Sequence, residues 1–493
     1  MHNVSRRSFV TGMGAIPFLA WAGKLGPSPH PRVRHEVHTP QGQAMLKIYA
    51  DAVGKMMKMA EGDPTGWTFQ FYTHWVKGST SKAAELTRIY GANPSANKAL
   101  AQAMWSTCEA HGPGEDENFF LPWHRMFVYF LEHIVREVSN HKPFTLPYWN
   151  YSTPITSLHG VLPRAFRSPA STQTNPLYRT NRNPGANQGQ AIDAGDPGAL
   201  DLTALQQSTY SPQGAAPGFC QDLDFGIHGN VHVLIGNSQG MGSVPFAAYD
   251  AIFWMHHCNI DRLWASWNKN GGKNPADAAF LNQQFTFADE KGQQVIGTVK
   301  DFLSINPLGY TYDRFEPAPP GFVPAAQTLL PIQPQAIASA PSGALALGAG
   351  PVRVNLEPAP APEGVAGALS ERVKSLAAEK KLYLVLRGLR AEAQPGVLYH
   401  VYLDLPEATP LEKGKPHYVG AINFFDATAH GDHEGAVEAK GTPKFFGLNV
   451  TSIAKSLQER GLLTEKPALT IAPSGTPAED AKPVIGEISL VAQ

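Results

Sequence analysis

Cysteine is scarce in this chain. Three residues, Cys108, Cys220 and Cys258, occur in 493. An odd and small number allows at most one bridge, which excludes a scaffold held together by disulfides. Cys258 directly follows a histidine, so it reads as a packed thiol. Charge is also sparse: 16% of residues are charged and the formal net charge is -1. No basic face is available for nucleic acid, and none is expected as a partner. The chain shows no internal repeat. The apolar run Phe9–Ala22 is shorter than the roughly 20 residues that span a bilayer, and no other segment comes closer. It contains no acidic residue, follows the twin-arginine pattern Ser5-Arg6-Arg7-Ser8-Phe9, and ends in Ala20-Trp21-Ala22, a small-x-small cleavage site. Residues 1–26 are therefore expected to be a twin-arginine export signal. The expected destination is periplasmic or secreted, with the export machinery as a transient partner and no stable membrane association after cleavage. That route carries folded proteins.

What is abundant is glycine (46), proline (42), and apolar residues at 43%, enough for a large core with long loops. Length alone predicts two or three domains. Residues 27–315 read as a mainly α domain rich in Trp, Phe, Tyr and His. Helices are legible at 42–60, 97–110, 122–139 and 247–268. The clearest is 122–139, with Pro122 at its start and Met126, Phe127, Phe130, Leu131, Ile134, Val135 and Val138 at helical spacing. Between 150 and 220 the composition turns to surface loops. Residues 316–350 are Pro- and Ala-rich and read as a linker. Short β-prone runs then follow one another over 351–493, separated by turns such as Pro395-Gly396, which predicts an all-β sandwich domain.

Eighteen histidines are too many to read singly, so spacing selects among them. His228 and His232 stand four apart, on one face of a helix. Within thirty residues follows Asp250-Ala-Ile-Phe-Trp-Met-His256-His257-Cys-Asn-Ile-Asp261-Arg-Leu-Trp264, a hydrophobic helix with embedded polar groups. Burying these is costly unless they are paired or bind metal. Adjacent helical residues point about 100° apart, so one of the pair is chosen: His257 as ligand, with Asp261 one turn on to accept its free ring N–H. His256 is then a pocket-wall residue. A second cluster comes from His124 in Phe-Leu-Pro-Trp-His-Arg, from His111 before Gly112-Pro-Gly, and from His74 in Phe-Tyr-Thr-His-Trp. The result is three histidines plus three. The zincin pattern needs Glu after its first histidine, where this chain has Gly229. The Glu-x-x-His pairs of di-iron bundles are missing too. Six neutral imidazoles without a carboxylate fit a pair of copper ions cycling between Cu(I) and Cu(II).

These residues resemble a known family. Phe-Leu-Pro-Trp-His-Arg at 120–125, Leu-Pro-Tyr-Trp-Asn at 146–150, the 228–232 pair and the Asp250–Trp264 block are similar to tyrosinases, catechol oxidases and molluscan haemocyanins. The resemblance implies a four-helix bundle holding a type 3 copper pair, with His74, His111 and His124 on the first copper and His228, His232 and His257 on the second. It implies dioxygen as co-substrate and small phenols as substrates, oxidised to quinones. Leu308-Gly-Tyr310-Thr-Tyr312, Val401-Tyr-Leu-Asp-Leu405 and Tyr418-Val-Gly-Ala-Ile-Asn-Phe-Phe425 look like plant-type polyphenol oxidases. In that family a C-terminal β-domain covers the copper site, and 351–493 is expected to do so here.

Four departures refine the expectation. His111 and His124 are thirteen positions apart, wider than is usual in the family, with Glu115-Asp116-Glu117 as an acidic bulge. Cys108 stands three before His111, where some relatives form a cysteine–histidine thioether at another spacing. The Asp-Pro opening of the last block is Asp250-Ala251. Finally, the residue after the first ligand of the second copper is Gly229, where monophenol-hydroxylating relatives often have Asn paired with an upstream Glu. The nearest carboxylate is Asp224, a short side chain without an amide partner and a weaker general base. Diphenol oxidation is expected, with monophenol hydroxylation at risk. Rival readings are a pure catechol oxidase or an o-aminophenol oxidase, an oxygen carrier, and a zinc-binding bundle.

Overall fold

A computed structural model describes residues 30–78, 80–108, 117–324, 334–360, 367–377, 379–407, 409–411, 414–428 and 444–493. The first part is helical. The helix Pro40–Met56 opens on Thr39, whose hydroxyl accepts from the Gly42 amide, with Pro40 in the first turn. Trp67–His74 and Ala96–Met104 follow. The latter ends six residues earlier than the sequence predicts, because the backbone is extended at Trp105 and left-handed at Ser106 (φ 53°). The central helix runs Phe120–Ser139, is buried from Phe120 to Glu132, and stops at Asn140 in the left-handed conformation. Burial on all sides marks it as the core of the domain.

The last long helix, Ile252–Lys269, is buried from Ile252 to Trp267. It begins five residues later than expected. The Asp250 carboxylate, held by Arg182 through two 2.7 Å bonds, accepts from the Ile252 amide and sets the helix start there. The strand Arg32–Arg34 pairs in parallel with Tyr310–Tyr312 and ties the two ends of this domain together. Between these strands and the two long helices lies a buried charge network, in which Arg34 bonds Glu132 and Asp261 and Arg125 bonds Asp261.

The second part is a β-sandwich. One antiparallel sheet has the order 418–422, 399–403, 468–473, 352–355; the other has 444–449, 382–389, 487–492, 335–339, 357–358. Two helices, Leu369–Lys374 and Thr451–Glu459, pack against it; no periodic signal pointed to them. The predicted linker 316–350 is too long. Residues 335–339 already form a strand paired with 487–492, and 345–346 pair with 484–485. Their small, weakly apolar side chains resemble linker composition, and only pairing with distant strands makes them strands.

The two cores interpenetrate. Phe225 of the helical part is buried in the sandwich core, while Leu398 and Phe425 of the sandwich are buried in the helical core. All three cysteines are buried. Among the described residues no helix is long and apolar enough to cross a membrane. The predicted export signal lies outside the described residues.

Candidate metal centre

His74 is the last residue of its helix, and His124 sits in the first turns of the central one. His228 ends a π-helical turn, Asp224–His228, that runs directly into the helix Gly229–Ile235, which carries His232. His256 and His257 lie in the buried helix Ile252–Lys269. All six of these histidines are buried.

Three of them are held from behind by oxygen acceptors. His124 Nδ1 lies 2.8 Å from the Phe120 carbonyl, one turn back, and His232 Nδ1 lies 2.8 Å from the Met241 carbonyl. His228 Nδ1 faces both the Asp224 carbonyl at 3.0 Å and the Asp224 carboxylate at 2.9 Å. An Nδ1–H donated to oxygen leaves the Nε2 lone pair for a metal, the arrangement that orients metal-binding imidazoles. Among the described residues, neither ring nitrogen of His256 or of His257 has a hydrogen-bond partner. Burial, reinforced by the neighbouring imidazoles, pushes both rings well below the usual histidine range. They are therefore neutral, the state a ligand needs.

The donor atoms fall into two groups. In one, single donor atoms of His228, His232, His256 and His257 lie within 4.8 Å of one another; in the other, those of His74, Cys108 and His124 do. The groups adjoin. The His124 and His257 rings stack at 4.2 Å with 10° between planes, and His228 and His257 are 5.0 Å apart. A buried imidazole with two unpartnered nitrogens, among donors without a carboxylate, fits an ion that takes nitrogen ligands. His111 lies outside the described residues. Cys108 brings its Sγ to 3.5 Å from His124 Nε2, a non-bonded distance.

Two sequence-derived roles are corrected. Asp261 does not reach His257. Its carboxylate accepts from Arg34 at 3.2 Å, from Tyr310 at 2.7 Å, from Tyr312 at 2.5 Å, and from Arg125. Two buried guanidinium groups attract a carboxylate more strongly than a neutral ring N–H does; burial pushes the Asp261 carboxyl up, and Arg125 and Arg34 outweigh it and hold it below its ordinary value. Asp224 lies behind His228, with its carbonyl and carboxylate on the ring's Nδ1, so it orients that ring.

Other residues of the site carried no sequence signal of a role. Phe253 packs at 4.1 Å on His257 and 4.9 Å on His74, and Phe120 lies 4.7 Å from both His124 and His228. From the sandwich, Phe425 stacks on His232 at 4.2 Å and 11°. Asn423, two residues earlier, meets Gly229.

Paired clusters of buried imidazoles on helices, roofed by a β-sandwich, define a binuclear metal protein. Residues 64–195 and 180–270 match the common central domain of tyrosinase, 274–319 the middle domain of polyphenol oxidases, and 335–493 a domain of unknown function. A tyrosinase of Hahella sp. is 26% identical over 473 residues, 90% of this chain and 96% of its own. Polyphenol oxidase A1 of Vicia faba is 32% identical over 227 residues, which is 39% of this chain and 36% of the plant protein. The chain thus matches little more than a third of that plant relative. The structure of latent apple tyrosinase shares the fold with a TM-score of 0.61 at 19% identity, over 95% of this chain and 99% of that one. The chain belongs to the tyrosinase and polyphenol oxidase family, and it is a copper-dependent oxidoreductase with that family's dicopper centre and use of dioxygen.

Proposed function

We propose that this enzyme oxidises o-diphenols to o-quinones, two catechols and one dioxygen giving two quinones and two waters. The observation that carries the reading is the His124–His257 stack, which sets the two donor groups side by side. His228, His232 and His257 would hold one copper, and His74, His124 and His111 the other, on helices arranged as a four-helix bundle. The copper pair, when bound, supplies dioxygen activation and accepts the two electrons of each catechol.

The chain's own residues then orient and select. The carbonyls of Phe120, Met241 and Asp224 fix three rings so that their metal-facing nitrogens do not swing. Gly229 offers no side chain beside His228, and Asp224 is turned behind the ring. A glycine has no group to take a proton from an incoming monophenol, and the Asp224 carboxylate is engaged by His228 Nδ1. A catechol ionises more readily and needs less help, so catechols are favoured over monophenols. The sandwich, which carries Phe425 onto His232, acts as a shield that keeps the enzyme latent until it moves or is cut away. The Ser5–Phe9 twin-arginine pattern supports export to the periplasm or beyond.

Copper analysis and an optical titration test this reading. Two coppers per chain and an intense near-ultraviolet band on adding hydrogen peroxide are expected, with the band bleaching when catechol is added. Rates should rank catechol above tyrosine, with o-aminophenol assayed beside them. A band that persists with every phenol after the sandwich is removed would mean an oxygen carrier instead.

A further inference from the structure

Gly229 has helical dihedrals, φ -62° and ψ -37°. Any residue adopts these, and alanine would favour the helix more than glycine does. Backbone freedom is therefore not the reason for glycine here. Space is. A Cβ built at position 229 would lie 2.7 Å from Asn423 Oδ1, 2.8 Å from its Nδ2 and 3.0 Å from its Cγ. Asn423 belongs to the β-sandwich and is 0% exposed. Its amide fills the volume that a side chain at 229 would take.

That amide is held on both sides. Nδ2 donates to the Phe225 carbonyl at 2.7 Å and to Asn230 Oδ1 at 2.8 Å, while Oδ1 accepts from the Phe425 amide at 3.2 Å. The Phe225 carbonyl is exposed to this contact where the backbone departs from helical geometry at Gly226 (φ -82°, ψ -111°), inside the π-helical turn that ends at His228. The Phe225 ring points the other way, into the sandwich core beside Phe446 at 6.1 Å. One kinked segment thus presents a carbonyl, a bare Cα and an aromatic ring to the sandwich, and His228 to the metal.

We propose that Gly229 and Asn423 form a steric interlock that lets the β-sandwich close over the metal centre. A side chain at 229 and the Asn423 amide in its hydrogen-bonded place exclude one another, so a single position beside His228 bears both on what faces an incoming phenol and on how the sandwich is held over the site. This inference deepens the shield reading given above and rests on it.

The test is a double-mutant cycle on the full chain, read by hydrogen exchange of the segments Phe225–His232 and Tyr418–Phe425, with solution scattering for domain opening. G229A alone should speed exchange in both segments together, by about tenfold or more, and expand the particle. N423A alone removes these three hydrogen bonds, two of them to the helical part, and should loosen the contact less. In the N423A background, G229A should change exchange less than about twofold, because the clashing atoms are gone. An equal effect of G229A in both backgrounds, or no effect in either, overturns the interlock; a general folding defect of G229A gives the first of these patterns. Catechol turnover is measured separately. Coupled exchange without turnover in the opened chain would leave the interlock standing and sink the proposed activity, and uncoupled exchange with turnover would do the reverse.

Discussion

His124, His228 and His232 each direct Nδ1 at an oxygen, and His228 Nδ1 also meets a carboxylate, that of Asp224. A carboxylate behind an imidazole raises its basicity and fixes its orientation, and losing such a partner weakens metal binding by about 10–100-fold. Asp224→Asn should therefore release one copper of the two at a lower chelator concentration, while the other is retained, as metal analysis after graded dialysis would show. If both coppers leave at the wild-type concentration, Asp224 does not support the ring. Asp222, two residues earlier, behaves differently. Burial raises its carboxyl to about 6, against a 2.8 Å hydrogen bond from Gln207. A raised folded-state value means that its stabilising contribution is full below the unfolded value of about 4 and is lost as pH rises through about 6. Asp222→Asn should accordingly be more stable than wild type at pH 8, by about 1 kcal/mol given its partial exposure. That gain should vanish near pH 4, which denaturant titrations at the two pH values would reveal.

The two long helices, Phe120–Ser139 and Ile252–Lys269, are held together by Arg125 and Asp261, and the Arg32–Arg34 and Tyr310–Tyr312 strands converge on the same carboxylate. Removing one member of a buried ion network leaves the others unpaired at a cost of about 3–5 kcal/mol. Asp261→Ala is predicted to lose stability on that scale in urea unfolding at pH 7. The Asp261 carboxyl is depressed in the folded state, so its contribution is present above the unfolded value of about 4 and is lost as pH falls through the lower folded value. The difference between variant and wild type should shrink in acid. Had Asp261 been a partner of His257, as its i+4 spacing suggested, the variant would instead show impaired copper binding with stability little changed. At this scale the helices were legible from periodicity, and their ends were not. Asp250 and Arg182, sixty-eight positions apart, decide where the last helix begins.

Across the whole molecule, the helical part and the sandwich exchange aromatic rings, Phe225 in one direction and Phe425 in the other. Phe425 stacks on His232, a contact worth about 1 kcal/mol beyond its buried area. Phe425→Ala should shift the closed chain toward the open one and raise initial catechol rates of the full chain by about three- to tenfold. Unchanged rates would mean that Phe425 does not gate the site.

The sequence by itself determined the chemistry. Histidines four apart on an apolar helix, and a His-His pair embedded in another, cannot be buried cheaply without a metal, and that argument needs only local spacing and the cost of desolvation. It also determined the succession of a helical part and a β part, because each period is local. Tertiary structure alone decided which acceptor each imidazole meets, that Asp261 serves two arginines rather than His257, that residues 335–339 and 345–346 are strands rather than linker, and that Asn423 and Phe425 reach the metal centre. Those contacts join residues far apart in the chain, and nothing in the local pattern around Gly229 records that a side chain from nearly two hundred positions away occupies its space.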